Sequence, residues 1–476
     1  MKIHLSAICG TAMASLAGLL RAKGHEVTGS DQDVYPPMST QLEALGIPIR
    51  SPYSEANVPE DADLVVIGNA LSRGNPEVEA VLDRRQRYTS LPALVAEEFL
   101  RPRTSLVVAG THGKTTTTSL LAFLLHRAGL DPSFLIGGVP GDFGRSDRLG
   151  TGRHFVIEGD EYDSAFFDKR PKFVHYLPAT AIIGNVEFDH ADIYPDLAAV
   201  KTAFVRLLHV IPRGGLLVAG TESEALREVL PQARCRIETF GLHAEADWRA
   251  REVRTQAGVS RFLLVRKGRE QGEFAVPMAG EHNVRNALAA LAAAAEAGVE
   301  PAAARDALAA FRGVKRRLEL RGEARGVTVY DDFAHHPTAV AATLAALRAL
   351  GGEARLVAVF EPRSYTSRTR LFQADFARAF AAADRVYVSA AHLPGKVPEG
   401  QRLSEADLVD SIGRQGPEAS FVPTVDGIVA ALAGELQPGD RVAILSNGGF
   451  GGIHEKLLRA LADPRAGATS ASKRPA

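Results

Sequence analysis

The sequence predicts an α/β protein of three domains. Short apolar runs alternate with helical stretches along most of the chain, which is the form a parallel sheet with crossover helices takes in sequence. The chain has 476 residues, about three times the ~150 of a common domain. Hydrophobic residues make up 46% of it, enough to fill a core in each domain and to exclude bulk disorder.

The first block begins with the apolar run 3–8, passes through the small-residue turn Cys9-Gly10-Thr11-Ala12 and continues into a helix over 13–22. Strands at 25–30 and 62–67 follow, ending at Asp31 and at Gly68-Asn69. Pro102 between two arginines breaks the pattern, which sets a domain at 1–104. The second block opens on the strand 105–109, which runs directly into Gly110-Thr111-His112-Gly113-Lys114-Thr115-Thr116 and a helix over 117–128. Strands are expected at 155–157 and 181–183, β-rich sequence over 250–277, and an alanine-rich helix over 283–297, giving a domain at 105–311. In the third block, 312–462, strands at 327–330, 355–359, 385–388 and 441–445 alternate with Ala/Leu-rich helices. Residues 463–476 are polar and small with no periodic apolar face, the composition of a disordered tail. The alanine-rich helices share no period, which argues against a solenoid.

Charge and cysteine content exclude several functions. The 55 Lys+Arg nearly balance 56 Asp+Glu, a net charge of -1, so a dedicated nucleic-acid surface is not expected. Cys9 and Cys235 form neither a CxxC pair nor a disulfide framework, which fits a reducing cytoplasm. The N-terminus lacks a signal-peptide pattern and no apolar run approaches about 18 residues. Neither export nor a membrane span is expected.

Three stretches carry chemistry. Residues 110–116 form a glycine-rich loop between a strand and a helix, where backbone N–H groups and the helix N-terminus surround phosphate oxygens, Lys114 neutralises their charge and the Thr115 hydroxyl ligates Mg²⁺. The loop is short: the generic spacing would need glycine at 108, where the chain has Val108. A helix cap with no ligand is the competing reading. Glu158 in the acidic stretch 158–163 is expected just after the strand 155–157, and carboxylates at a buried strand end bind something positive or suffer desolvation. Asp189 and His190, in 184–190, follow the strand 181–183 and should reach the same edge of the same sheet.

These stretches, together with Gly280-Glu281-His282-Asn283-Val284-Arg285-Asn286 and Asp331-Asp332-Phe333-Ala334-His335-His336-Pro337, resemble the Mur ligases. That family consists of ATP-dependent acid–amino-acid ligases which build the stem peptide of peptidoglycan, and its motifs run in order through nearly the whole chain. The resemblance implies a Rossmann-like N-terminal domain for a UDP-sugar, a central P-loop ATPase domain and a Rossmann-like C-terminal domain that delivers the amine. It assigns the ATP phosphates to Gly110, Thr111, His112, Gly113, Lys114, Thr115 and Thr116, and Mg²⁺ to Thr115, Glu158 and His190. His282 and Asn283 fall beside the adenine, and Asn286 is either a third member of that motif or structural. Arg317 reaches toward the phosphates, and Asp332 and His335 help close the site, with His335 the candidate base. A carbamylated lysine occurs in some members, and no lysine here aligns with it; Lys201 is nearby and unassigned.

Within the family, segments 33–39, 158–169 and 446–454 resemble the branch that attaches L-alanyl-γ-D-glutamyl-meso-diaminopimelate to UDP-N-acetylmuramate. The branch that adds L-alanine would carry Asp-Glu-Ser-Asp where this chain has Asp160-Glu161-Tyr162-Asp163. The first loop departs from the family's Gly-x-Gly-Gly-x-Gly, because only Gly10 remains among Ala7, Cys9, Gly10 and Ala12. Gly10, Thr11, Asp31, Asn69 and Ser72 are the candidates for the UDP-sugar, Asp31 being equally a strand-end cap. Small-molecule substrates are implied, with no nucleic acid or membrane partner. Two other readings stay open: a nucleotide-regulated binding protein without ligase chemistry, and a polyglutamate-type ligase, which would not need this N-terminal domain.

Overall fold

A computed structural model describes the chain except for residues 33, 35–37, 353 and 464–476; most of the expected tail and part of segment 33–39 lie outside the described residues. Three large sheets organise the rest, beside a two-stranded hairpin, Asp163–Ala165 with Asp168–Pro171. The first is parallel, in the order Ile49–Arg50, Glu26–Ser30, Lys2–Ser6, Leu64–Ile67, Tyr88–Ser90. The chain leaves Lys2–Ser6 in both directions, so the crevice beyond its carboxyl end is a topological switch point. The helix Thr11–Ala22 starts there and buries Met13, Leu16, Leu19 and Leu20.

The central sheet has ten strands. Its switch point is the strand Thr104–Ala109, which pairs in parallel with His154–Gly159 on one side and Thr180–Ile183 on the other. The register sets Val108 beside Glu158 and Ala109 beside both Gly159 and Ile183. Three strands of apolar, mostly β-branched sequence, buried on both faces, thus end side by side. The β-rich stretch forms an antiparallel meander, Trp248–Gln256, Val259–Arg266 and Arg269–Val276. The alanine-rich helix Glu281–Glu296 packs against the helix Lys114–Arg127; its small side chains permit that close approach.

The C-terminal sheet runs Glu319–Ala324, Val327–Asp332, Arg441–Leu445, Leu356–Phe360, Arg385–Val388, Glu418–Phe421. All its pairs are parallel except the edge strand Glu319–Ala324, which pairs antiparallel with Val327–Asp332. That edge strand was not expected from the sequence: its residues are half-buried or exposed, so it lacks the continuous apolar run that marks the interior strands. Among the described residues no helix is long and apolar enough to cross a membrane.

Candidate active site

The three strand ends of the central sheet open into a cavity of about 600 Å³, within the range of small-molecule sites. Its walls come from all three domains: Ala12 and Leu91 of the first, the loop 111–117 and Glu158, Asp160 and His190 of the second, Arg317, Asp332 and His335 near the third.

The loop before the helix Lys114–Arg127 is shaped by backbone that only glycine adopts easily. Gly110 has φ +133° and Gly113 φ +80°; a Cβ on Gly113 would meet Asn286 Oδ1 at 2.5 Å. Asn286 therefore buttresses the loop: its Oδ1 accepts from the Thr117 hydroxyl at 3.2 Å and its Nδ2 donates to Asn283 Oδ1 at 3.2 Å. On the other side Asn185 closes the loop. Thr111 N–H donates to Asn185 O (3.1 Å), His112 N–H to Asn185 Oδ1 (2.8 Å), and the Glu187 N–H to Thr111 Oγ1 (2.8 Å). The helix begins at Lys114, three residues before the expected start; the threonine-rich turn has no apolar periodicity to announce it.

Lys114 is folded onto its own loop. Its ammonium donates to Gly110 O at 2.8 Å and to both oxygens of Glu161, at 3.1 and 2.8 Å. Burial would push this ammonium down, but Glu161 and Asp160 outweigh it and hold it above the usual lysine value. Glu161 also shares a 2.9 Å hydrogen bond with His190 Nε2. Burial pushes its carboxyl up, and Lys114 and His190 together hold it down. Burial likewise pushes the His190 imidazole down, and Glu161 reverses that. Glu161 lies in the acidic stretch but was not among the expected site residues. The missing signal was spatial, since no spacing rule says which of three carboxylates meets the loop lysine.

Glu158 is not just past its strand, as expected, but inside it: the strand extends to Gly159. The register beside Val108 aims it at the loop, where Thr115 Oγ1 donates to Glu158 Oε1 at 3.1 Å and the Gly137 N–H to Oε2 at 2.8 Å. Burial pushes this carboxyl up, opposed by Lys114 and the Gly137 N–H. A half-buried carboxylate with only neutral hydrogen-bond donors on its oxygens, next to a helix-start hydroxyl, is a donor set that fits a hard divalent cation.

Arg317 completes the cluster from the hinge. Its Nη2 donates to Thr115 Oγ1 at 3.1 Å, and its guanidinium lies 5.0 Å from the Phe333 ring centre. The backbone on both sides is left-handed, with φ +60° at Arg316 and +51° at Leu318. Asp332 fixes this turn: its carboxylate accepts from the N–H of Leu318 (2.6 Å) and of Ala334 (2.8 Å). Both carboxylate oxygens are thus engaged by backbone, the arrangement of a hinge brace.

The remaining expected residues divide. His335 faces the cavity with Nδ1 on Phe333 O at 2.9 Å, and burial pushes its imidazole down to about 4, so it is uncharged at neutral pH. His282 also lines the cavity and is pushed down to about 4 by burial. Asn283 is buried, and its amide is spent on Ala279 O (2.9 Å) and Asn286. Lys201 pairs with Glu228 on the surface, away from this cluster.

None of the five UDP-sugar candidates lines the cavity. Gly10 has an ordinary φ of −64°, and a Cβ there would meet nothing closer than 3.7 Å, so the backbone does not require glycine. Asp31 acts as a bracket between strand ends: Oδ2 accepts from Cys9 N–H at 2.8 Å, and Oδ1 from Gln32 N–H at 2.8 Å and Tyr53 hydroxyl at 3.1 Å. Thr11 opens the first helix, and Asn69 and Ser72 are exposed beyond the strand Leu64–Ile67. Ala7, where the family loop has glycine, takes a left-handed φ of +69°.

Family models match the chain in the same order: the Mur ligase family, catalytic domain over residues 2–101, the Mur ligase middle domain over 108–294, and the Mur ligase, glutamate ligase domain over 316–448. The chain is 47% identical over 464 residues to the UDP-N-acetylmuramate–L-alanyl-γ-D-glutamyl-meso-2,6-diaminoheptanedioate ligase of Escherichia coli K12, covering 97% of this chain and 98% of that one. It is 35% identical over 462 residues to the UDP-N-acetylmuramate–L-alanine ligase of Desulforapulum autotrophicum, covering 97% and 98%. It is similar to the crystal structure of a murein peptide ligase from Psychrobacter arcticus 273-4, with a TM-score of 0.74 and 41% identity over 97% of this chain and 99% of that chain. With three matching domains and a phosphate loop, Glu158 and Arg317 gathered on one cavity, the chain belongs to the Mur ligase family.

Proposed function

We propose that the protein joins L-alanyl-γ-D-glutamyl-meso-diaminopimelate to UDP-N-acetylmuramate at the expense of ATP, in the cytoplasm, as a step of peptidoglycan recycling. The observation that carries the ligase chemistry is the cluster in which Thr115 touches both Glu158, at 3.1 Å, and Arg317, at 3.1 Å, with Lys114 one residue away. The choice of peptide over L-alanine is supported by 47% identity to a tripeptide ligase against 35% to an L-alanine ligase.

A carboxylate does not condense with an amine unaided, because its leaving group is oxide. In the proposed route the muramyl carboxylate attacks the γ-phosphate of ATP; the bond from that phosphorus to the β,γ-bridging oxygen breaks, giving ADP and an acyl phosphate. The peptide amine then attacks the acyl carbon, and the tetrahedral adduct expels phosphate. Little covalent work falls to the protein, so its contribution is alignment and charge neutralisation. The N–H groups of 110–116 cradle the phosphates, Lys114 exchanges part of its contact with Glu161 for the γ-phosphate, and Arg317 holds the transferring group from the hinge. Thr115, Glu158 and His190 are the residues that would hold Mg²⁺, which supplies charge neutralisation at the β- and γ-phosphates. His335, uncharged at neutral pH, is the candidate acceptor for the proton lost by the attacking amine. With so low a basicity it takes that proton only from the acidic ammonium of the adduct, not from the free amine.

The test is ADP release in a coupled assay with each substrate omitted in turn. Release that requires both UDP-N-acetylmuramate and the peptide is expected. ATP binding without amine-dependent release would instead support a nucleotide-regulated binding protein.

A further inference from the structure

The seam between the central and C-terminal domains carries a second cluster on the wall of the same cavity, whose side chains the ligase route above gives no role. Residues 187–189 meet the C-terminal domain one after another. Thr338 Oγ1 donates to Glu187 at 2.6 Å, His336 Nε2 hydrogen-bonds Phe188 O at 3.1 Å, and Thr366 Oγ1 donates to Asp189 at 2.6 Å. Against this strip lies His112 from the phosphate loop, its ring 4.6 Å from that of His336. His112 Nε2 is 3.5 Å from a Glu187 oxygen, yet it is a buried ring nitrogen with no hydrogen-bond partner among the described residues. One ligand atom from each of His112, Glu187 and His336 falls in a group whose members all lie within 4.8 Å of one another.

We infer that His112, Glu187 and His336 form a binding site for a zinc-class transition-metal ion that bridges the phosphate loop and the C-terminal domain. Two imidazoles and one carboxylate are the donors such ions favour, whereas magnesium takes a shell made mostly of oxygen. Ligand atoms about 2.0–2.1 Å from a tetrahedral ion stand about 3.4 Å apart, so the His112–Glu187 pair, at 3.5 Å, already has the right spacing, and the whole group lies within 4.8 Å. The His336 ring is held at Nε2 by the Phe188 carbonyl, the kind of contact that orients ligating imidazoles, while Nδ1 accepts only a long 3.4 Å bond from the Thr338 N–H, which the ion displaces. The ion ties together two domains that must part for products to leave, so it acts as a clamp on turnover and not as a replacement for Mg²⁺ at Glu158 and His190.

The experiment titrates the full-length protein with Co²⁺ in excess Mg²⁺ and reads the visible absorption of tetrahedral cobalt. The expected result is one equivalent bound in the wild type and in His190→Gln, and loss of the signal in both Glu187→Gln and His336→Gln. His112 is left intact because it stands in the phosphate loop. A signal that survives in both seam variants, or that vanishes in His190→Gln, would overturn the site, and absence of a signal in the wild type would do the same. These spectra do not depend on ligase activity. The clamp is tested separately by adding Zn²⁺ to the ADP-release assay at saturating Mg²⁺: inhibition at least tenfold weaker in Glu187→Gln is expected, and equal inhibition of both proteins contradicts it.

Discussion

Arg317→Met removes the guanidinium that links the hinge to the phosphate loop while keeping an apolar stem over Phe333. A charge-assisted hydrogen bond of the kind Arg317 makes to Thr115 (3.1 Å), given instead to the transferring phosphate, is worth about 1.5–3 kcal/mol, and the Phe333 face that holds the guanidinium in place, 5.0 Å from the ring centre, adds about 0.5–1 kcal/mol. A loss of about 2–4 kcal/mol in transition-state binding corresponds to a fall of about 30- to 700-fold in kcat/KM for ATP, at ~1.4 kcal/mol per tenfold. Thermal stability should change little, because the side chain is half-exposed and the turn is braced independently by Asp332. Arg317→Lys should restore only a small part of the rate, since an ammonium cannot stack flat on the ring and reach Thr115 together. Steady-state ADP release at saturating peptide measures all three. A kcat/KM for Arg317→Met within threefold of wild type would refute the reasoning.

Four further outcomes follow from the geometry. Lys114→Ala should abolish ADP formation while the circular dichroism spectrum stays native, because the ammonium sits in the loop that holds the phosphates; near wild-type turnover would contradict its role. Gly113→Ala places a side chain at φ +80°, costing about 1–2 kcal/mol before the Asn286 contact is relieved, so ATP affinity by calorimetry should drop at least about fivefold. Ala7→Gly relieves a φ of +69° that strains alanine by about 1 kcal/mol but removes a buried core methyl and loosens the unfolded chain, together about 1–2 kcal/mol, so Tm should not rise; a clear rise would show that the strain exceeds these costs. The buried Glu77 accepts hydrogen bonds from the hydroxyls of Ser6 (2.6 Å) and Ser30 and from Asn57 Nδ2 (2.9 Å). Burial raises its carboxyl, but His4 and these donors together hold it at about 2. A depressed folded pKa contributes stability that is whole above about 4.5 and is lost as pH falls toward 2, so Glu77→Gln should flatten the acid limb of Tm against pH in that window. A limb of unchanged slope would show that Glu77 titrates normally.

The interior of the fold was legible because parallel strands buried on both faces read as apolar runs: 105–109, 155–157, 181–183 and 441–445 all mark strands at nearly the observed bounds. The edge strand Glu319–Ala324 and the hairpin Asp163–Ala165 with Asp168–Pro171 were not legible, since half-exposed charged residues carry no such signature. In the site, the loop lysine and Glu158 could be read because adjacent strand ends must converge. Glu161 and the seam residues Glu187 and Thr366 could not, because their contacts depend on how loops from different domains fold over those ends. Asp31 could be read either way from sequence; the structure spends its carboxylate on Cys9, Gln32 and Tyr53, which favours the strand-end reading. The net charge of -1 conceals Lys114 and Arg317 gathered at one cavity, because a whole-chain sum carries no position.

The most direct measurement is the ratio of kcat/KM for L-alanyl-γ-D-glutamyl-meso-diaminopimelate to that for L-alanine, with UDP-N-acetylmuramate, ATP and Mg²⁺ held saturating. The ratio should exceed one by orders of magnitude, as expected of a tripeptide ligase. A ratio below one would contradict the account and place the protein with the L-alanine ligases.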